Sequence, residues 1–118
     1  MPASHAVRGE VVLPSAGIAA GTAEVTIQVE DVSRADAPSI VIGEQRMSGV
    51  AVGAGGVLPF TIEIPAGLVD GRRNYSVRAH ISRSGSNEVS VGDLVSTQSY
   101  PVLTRGFGDR VRIVVKPV

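Results

Sequence analysis

Arg78 and His80 fall on one alternating stretch of the chain, and Arg110, Arg112 and Lys116 on another. On an extended backbone each group projects from a single side. If the two stretches lie in one sheet, they form a basic face able to grip carboxylates or phosphates through charge-assisted hydrogen bonds. The plainer reading is a solubilising row opposite a core. Asp31, Ser33 and Asp36 offer oxygen ligands to a hard cation. Calcium takes about six to eight such ligands, and this stretch supplies two carboxylates and a hydroxyl. Asp and Ser equally suit a turn, where they bond nearby backbone N–H groups. That reading is adopted, and no metal is expected.

Catalysis has little to build on. His5 and His80 are the only histidines and cysteine is absent, which excludes a thiolate nucleophile, disulfides and cysteine-ligated zinc. A Ser-His-Asp site needs converging geometry, and no Gly-x-Ser-x-Gly elbow is present. His80 lies on the outward row of its stretch and reads as a solvated surface residue. Gly53 to Gly56 resembles a phosphate loop only superficially. Such loops open a helix, whereas this one leads into a strand-like run containing Pro59. The chain is expected to be no enzyme and to need no cofactor.

The elements that must position these residues read as strands. Val25, Ile27 and Val29 alternate with Glu24, Thr26, Gln28 and Glu30, and a turn around Asp31 to Pro38 carries the chain away. Phe60, Ile62 and Ile64 alternate with Thr61 and Glu63. Tyr75, Val77, Ala79 and Ile81 alternate with Ser76, Arg78, His80 and Ser82. Val111, Ile113 and Val115 complete the set, opposite Arg110, Arg112 and Lys116. A period of two is the mark of a half-buried strand. Val7 to Leu13 reads as a first strand, and Leu94 to Leu103 as one broken by Pro101. Residues 84–87 read as a hairpin connection to a strand at Glu88–Val91. Pro59 places the start of its strand at an edge or before its paired section. Ser39 to Ile42 is a strand or a helical turn. Gly43 to Gly56 reads as a mobile loop whose Met47 and Val50 are available to a partner. Val12 and Val114 sit on outward rows and are candidates for the same use.

Residues 1–6 read as a disordered tail and 7–118 as one domain. No stretch carries a sustained helical period, so little or no helix is expected. About seven short strands at near-regular spacing predict a single-domain antiparallel β-sandwich. The formal net charge is zero, which gives no electrostatic reason for a nucleic-acid or anionic-membrane partner. Aromatic content of 3% leaves few platforms for stacking bases or sugars. The N-terminal residues lack the basic and apolar regions of a signal peptide, and no stretch has transmembrane length. The chain reads as soluble without an export signal, with a cytoplasmic location left open.

Four motifs in order carry a family resemblance. They are Val29-Glu-Asp-Val-Ser-Arg-Ala-Asp-Ala-Pro38, Leu58 to Ile64, Asn74 to Ile81, and Tyr100 to Thr104. With these the chain resembles the YscW/YbaY-type lipoprotein family, which includes the lipoprotein chaperones (pilotins) of type III secretion. The resemblance implies a β-sandwich in the periplasm or at the outer membrane, tethered through a lipidated cysteine that this sequence lacks. It also implies an outer-membrane or envelope protein as partner. The leading expectation is a non-enzymatic assembly domain that captures a partner segment, by strand addition at a sheet edge or on the Gly43–Leu58 loop. The candidate binding residues are Arg78, His80, Arg110, Arg112, Met47 and Val50. The alternatives are a small-ligand or glycan-binding envelope module and a purely structural domain.

Overall fold

The computed structural model describes residues 4–34, 36–85 and 88–118. Eight strands form in chain order: β1 (Ser4–Val12), β2 (Gly21–Asp31), β3 (Ile40–Val52), β4 (Val57–Pro65), β5 (Tyr75–Ser82), β6 (Leu94–Ser96), β7 (Pro101–Val102) and β8 (Arg110–Pro117). A single 3₁₀ turn, Ala66–Leu68, is the only helical element among the described residues. The strands hydrogen-bond in the order β3-β2-β5-β6-β8-β1-β4, with β7 on β5 beside that path. The expected all-β, single-domain fold is therefore observed, as a sheet curled until it is nearly closed into a barrel.

The alternating rows account for the core. Val25, Ile27 and Val29 from β2, Val77, Ala79 and Ile81 from β5, Ile62 and Ile64 from β4, and Ile113 and Val115 from β8 are all buried. β-Branched side chains dominate, as suits the crowded inner face of a curled sheet. Two tyrosines fasten the loops around this core. The Tyr75 hydroxyl accepts from Asp70 N–H at 2.8 Å and donates to Leu68 O at 3.2 Å. The Tyr100 hydroxyl accepts from Val114 N–H at 2.9 Å, where β8 has no strand beside it on that side.

β3 and β4 follow one another in the chain yet lie at opposite ends of the sheet, and the curl brings them face to face. Gln45 Oε1 accepts the Thr61 N–H at 3.2 Å across this seam. Gly43 lets Ile62 and Ile64 pack against it, since a Cβ there would stand 2.9 Å from both side chains. In an antiparallel strand alternate residues direct their backbone groups to the same side. Thr61 points away from β1, so Pro59 and Pro65 do too. Prolines thus remove two donors from the free edge of β4, a device that blunts edge pairing.

Several expectations need correction. Ser4, His5 and Ala6 are not a tail: they pair with Pro65, Ile64 and Glu63 of β4. Residues 1–3 lie outside the described residues. Gly43 to Gly56 is not a mobile loop, because β3 runs on to Val52 and only a tight turn follows. Two register shifts opposite β2, one at Ser48–Gly49 and one at Ile42, hide the strand's alternation. Gly49 takes φ +64, a conformation that side chains resist. Glu88–Val91 is turn and irregular chain rather than strand, because Asp93 gathers its backbone inward. The hairpin connection expected before it falls partly on residues 86 and 87, outside the described residues. Finally, β8 runs parallel to β1 over Arg110–Val114 before turning antiparallel to β6. All other pairings are antiparallel.

Candidate functional site

The parallel pairing of β1 with β8 puts unlike rows side by side on the outer face. Arg8 stands opposite Arg110, Glu10 opposite Arg112, and Val12 opposite Val114. On its other side β1 aligns Thr61, Pro59 and Val57 with the same three residues. The outer face of β4-β1-β8 therefore carries an arginine row at one end and a valine row at the other. Val57 and Val114 are 45% and 40% exposed, so the valine row is open to solvent.

Gly9 fixes how closely these strands approach. A Cβ on Gly9 would stand 1.8 Å from the Val111 carbonyl oxygen and 3.1 Å from the Phe60 ring. The bare backbone adjoins a cleft of about 520 Å³, lined by Gly9, Phe60 and Val111 together with Arg8, Glu10, Arg110 and Arg112. Arg112 has Glu10 at 3.8 Å. Arg8 and Arg110 have no carboxylate paired to them among the described residues. Two adjacent guanidiniums held without counter-charge can bind a carboxylate or phosphate through paired N–H donors.

A second, smaller cleft of about 190 Å³ lies on the outer face of β2, β3 and β5. Arg46, Arg78, His80 and Gln28 line it. Here the charges are mostly spent. His80 Nε2 donates to Asp93 Oδ2 at 2.9 Å, and Asp93 also accepts from the N–H groups of Arg83 (2.9 Å) and Ser90 (3.0 Å). Burial pushes the Asp93 carboxyl up, but these hydrogen bonds outweigh it and hold the group below its ordinary value. Glu44 takes hydrogen bonds from Gln28 and Arg46.

The six candidate residues are thus dispersed. Arg110 and Arg112 share the first cleft, and Arg78 and His80 the second. β6 separates β5 from β8, so the single basic face built from both strands does not form. Met47 and Val50 pack, partly buried, against the core and belong to neither cleft. His80 is not a solvated residue: its side chain is 15% exposed, under the segment that Asp93 fastens. Arg8 and Asp93 escaped the sequence reading. An isolated glycine in a strand pattern, Gly9, was the available sign that another backbone comes close there. Asp93 sits among turn-like residues, with nothing local to mark it as buried.

The other suspected sites are occupied by the fold itself. Asp31 Oδ1 accepts the Ser33 N–H at 3.0 Å, its Oδ2 meets Arg73 at 3.1 Å, and the Ser33 hydroxyl accepts the Asn74 N–H at 2.8 Å. No group of three or more metal-ligating side chains converges among the described residues. In the Gly53–Gly56 turn, the Gly55 N–H bonds Pro14 O at 2.7 Å and the Gly56 N–H bonds Gly53 O at 3.1 Å. Those donors are not free for a phosphate.

Comparison with known proteins adds two findings. The family described as type III secretion system lipoprotein chaperone (YscW) matches residues 2–115. Among solved structures, an alternative pilotin from the type II secretion system of Vibrio cholerae is similar over 98% of each chain, with a TM-score of 0.79 and 25% sequence identity. No curated protein matches the sequence.

Proposed function

The chain belongs to the type III secretion system lipoprotein chaperone (YscW) family, and from that premise we propose that it captures a segment of one secretion protein in the bacterial envelope and works without catalysis. The observation that carries this reading is the family match over residues 2–115, nearly the whole of one domain. The pilotin similarity extends along the entire chain as well. We place its action in the periplasm or on the outer membrane.

The geometry favours capture on a face over capture at an edge. β-Strand addition needs a run of unpaired N–H and C=O groups. The free edge of β4 loses donors to Pro59 and Pro65, and Gln45 already occupies Thr61 N–H. β3 is interrupted by two register shifts, which twist an edge away from pairing. The apolar loop that would have served instead is part of β3. What stays open is the outer face of β4-β1-β8, with its valine row and cleft. For the absence of catalysis, the support is that His80 and Asp93 are committed to holding a loop.

A crosslinked pull-down from detergent-solubilised envelopes of the native host tests the reading. The tagged domain should recover one secretion protein, and Val114→Glu on the valine row should lose it. Recovery of nothing above a heat-denatured control would sink the proposal.

A further inference from the structure

We propose that Arg8 and Arg110 form a two-pronged carboxylate receptor, and that the segment captured on the β4-β1-β8 face is acidic and amphipathic. This rests on the reading that the domain captures a protein segment, and it names that segment's chemistry.

The argument starts from register. Like charges directly opposite one another across paired strands are unfavourable, yet β1 and β8 align Arg8 with Arg110. One step along the same strands the sheet does place an acid beside a base, Glu10 with Arg112. The arginine row is therefore left unneutralised next to a row where neutralisation occurs. The Arg8 N–H is held by Asp109 O at 2.8 Å, which fixes the strand ends that carry both guanidiniums. An incoming carboxylate pair would relieve the repulsion and satisfy donors that are now turned to solvent.

The valine row supplies the second half of the recognition. Arg8 and Val12 are four residues apart on β1, a distance of about 13 Å on a strand. An extended segment spans that with four residues, so its acidic and apolar positions fall on one face. The occupant is a peptide rather than an anionic bilayer surface. Glu10 and Glu63 share the face with the arginines, whereas anionic membranes attract uninterrupted clusters of roughly four to eight basic residues. The arginines also wall a concave cleft, a shape that suits inserted side chains.

The test pans a random peptide library displayed on phage against the full chain at low salt. Recovered peptides should carry paired Asp or Glu residues with an apolar residue about four positions away. In fluorescence anisotropy their affinity should fall by about tenfold for each of Arg8→Gln and Arg110→Gln. It should also weaken as salt is raised. Arg8→Lys with Arg110→Lys keeps the charge but loses the paired donors, so its affinity should fall between those of the parent and the Gln variants, and circular dichroism of each variant reports whether the fold survives. Neutral or basic peptides, no enriched peptide at all, or affinity unchanged in a folded Arg8→Gln/Arg110→Gln variant would each overturn the proposal. So would phosphatidylglycerol vesicles binding with the same arginine dependence. If the envelope pull-down succeeds while the peptides fail, the acidic receptor falls and the capture reading stands. If the pull-down recovers nothing, the capture reading falls first.

Discussion

The two clefts of this domain contain similar residues and treat them in opposite ways. On β2, β3 and β5, His80 is tied to buried Asp93 and Arg46 to Glu44, leaving Arg78 as the cation without a paired acid among the described residues. On β1 and β8, Arg8 and Arg110 are register partners and neither is paired to an acid among the described residues, while Glu10, one step along, lies 3.8 Å from Arg112. Charge in the cleft on β2, β3 and β5 fastens the Arg83 and Ser90 backbone to the sheet through Asp93. In the cleft on β1 and β8 only the Arg112–Glu10 pair joins two strands by charge among the described residues, and Arg8 and Arg110 join none. A basic residue therefore tells little about binding until its partner is known, because hydrogen-bonded acids convert it into a fastening.

The sharpest way to break the comparison is to remove the close approach on which the cleft on β1 and β8 depends. Gly9→Ala places a methyl group 1.8 Å from the Val111 carbonyl oxygen. Backbone cannot give way as a flexible side chain can, so β1 and β8 must part or shift. We expect a loss of more than about 3 kcal/mol, read from urea unfolding. The cleft on β2, β3 and β5 should keep its His80–Asp93 hydrogen bond wherever the variant still folds. A variant as stable as the parent would show that the parallel pair is looser than its geometry states.

The cleft on β2, β3 and β5 is broken through Asp93. It is 1% exposed and accepts from His80, Arg83 and Ser90. Asp93→Asn keeps the shape but turns an N–H₂ group toward donors, and should cost about 2–3 kcal/mol at neutral pH. The carboxyl is held below its ordinary value in the fold. Its contribution is therefore present above the unfolded pKa of about 4 and is lost as pH falls through the lower folded value. The stability gap between parent and Asp93→Asn should narrow below about pH 4. A gap that widens on acidification would contradict the assigned hydrogen bonds. Native-state hydrogen exchange should report faster opening of residues 88–93 in the variant, with β1 and β8 unaffected.

The same contrast explains what was legible in the sequence. β2, β4, β5 and β8 each keep a strict period of two, and their inward rows were readable residue by residue. β3 was not. Gln45 and Met47 face Ile27 and Val25, whereas Val50 and Val52 face Ala23 and Gly21. The inward parity changes from odd to even across the Ser48–Gly49 shift, and a run that changes parity looks like a loop. The alignment of Arg8 with Arg110 depends on a parallel pairing between β1 and β8, which no local pattern encodes. The His80–Asp93 contact crosses a loop of turn-forming residues. Alternation showed that His80 faces outward and could not show that something covers it.

The finest test sets stability against binding in the cleft on β1 and β8. Arg110→Glu replaces a like pair across β1 and β8 with an opposite one. Cross-strand pairs of that kind contribute roughly 0.2–1 kcal/mol, so the variant should be more stable than the parent at low salt. The gain should shrink as salt screens the exposed pair. Arg78→Glu should give no such gain, since it adds an acid beside Gln28 and His80, which already hold Glu44 and Asp93. Residues kept for binding are often those whose replacement stabilises the unbound fold. A rise in the urea midpoint together with lost affinity for acidic peptides would identify Arg8 and Arg110 as that kind of residue. A fall in the midpoint would mean the two guanidiniums do not repel, and the basis for an acidic partner on this face would go with it.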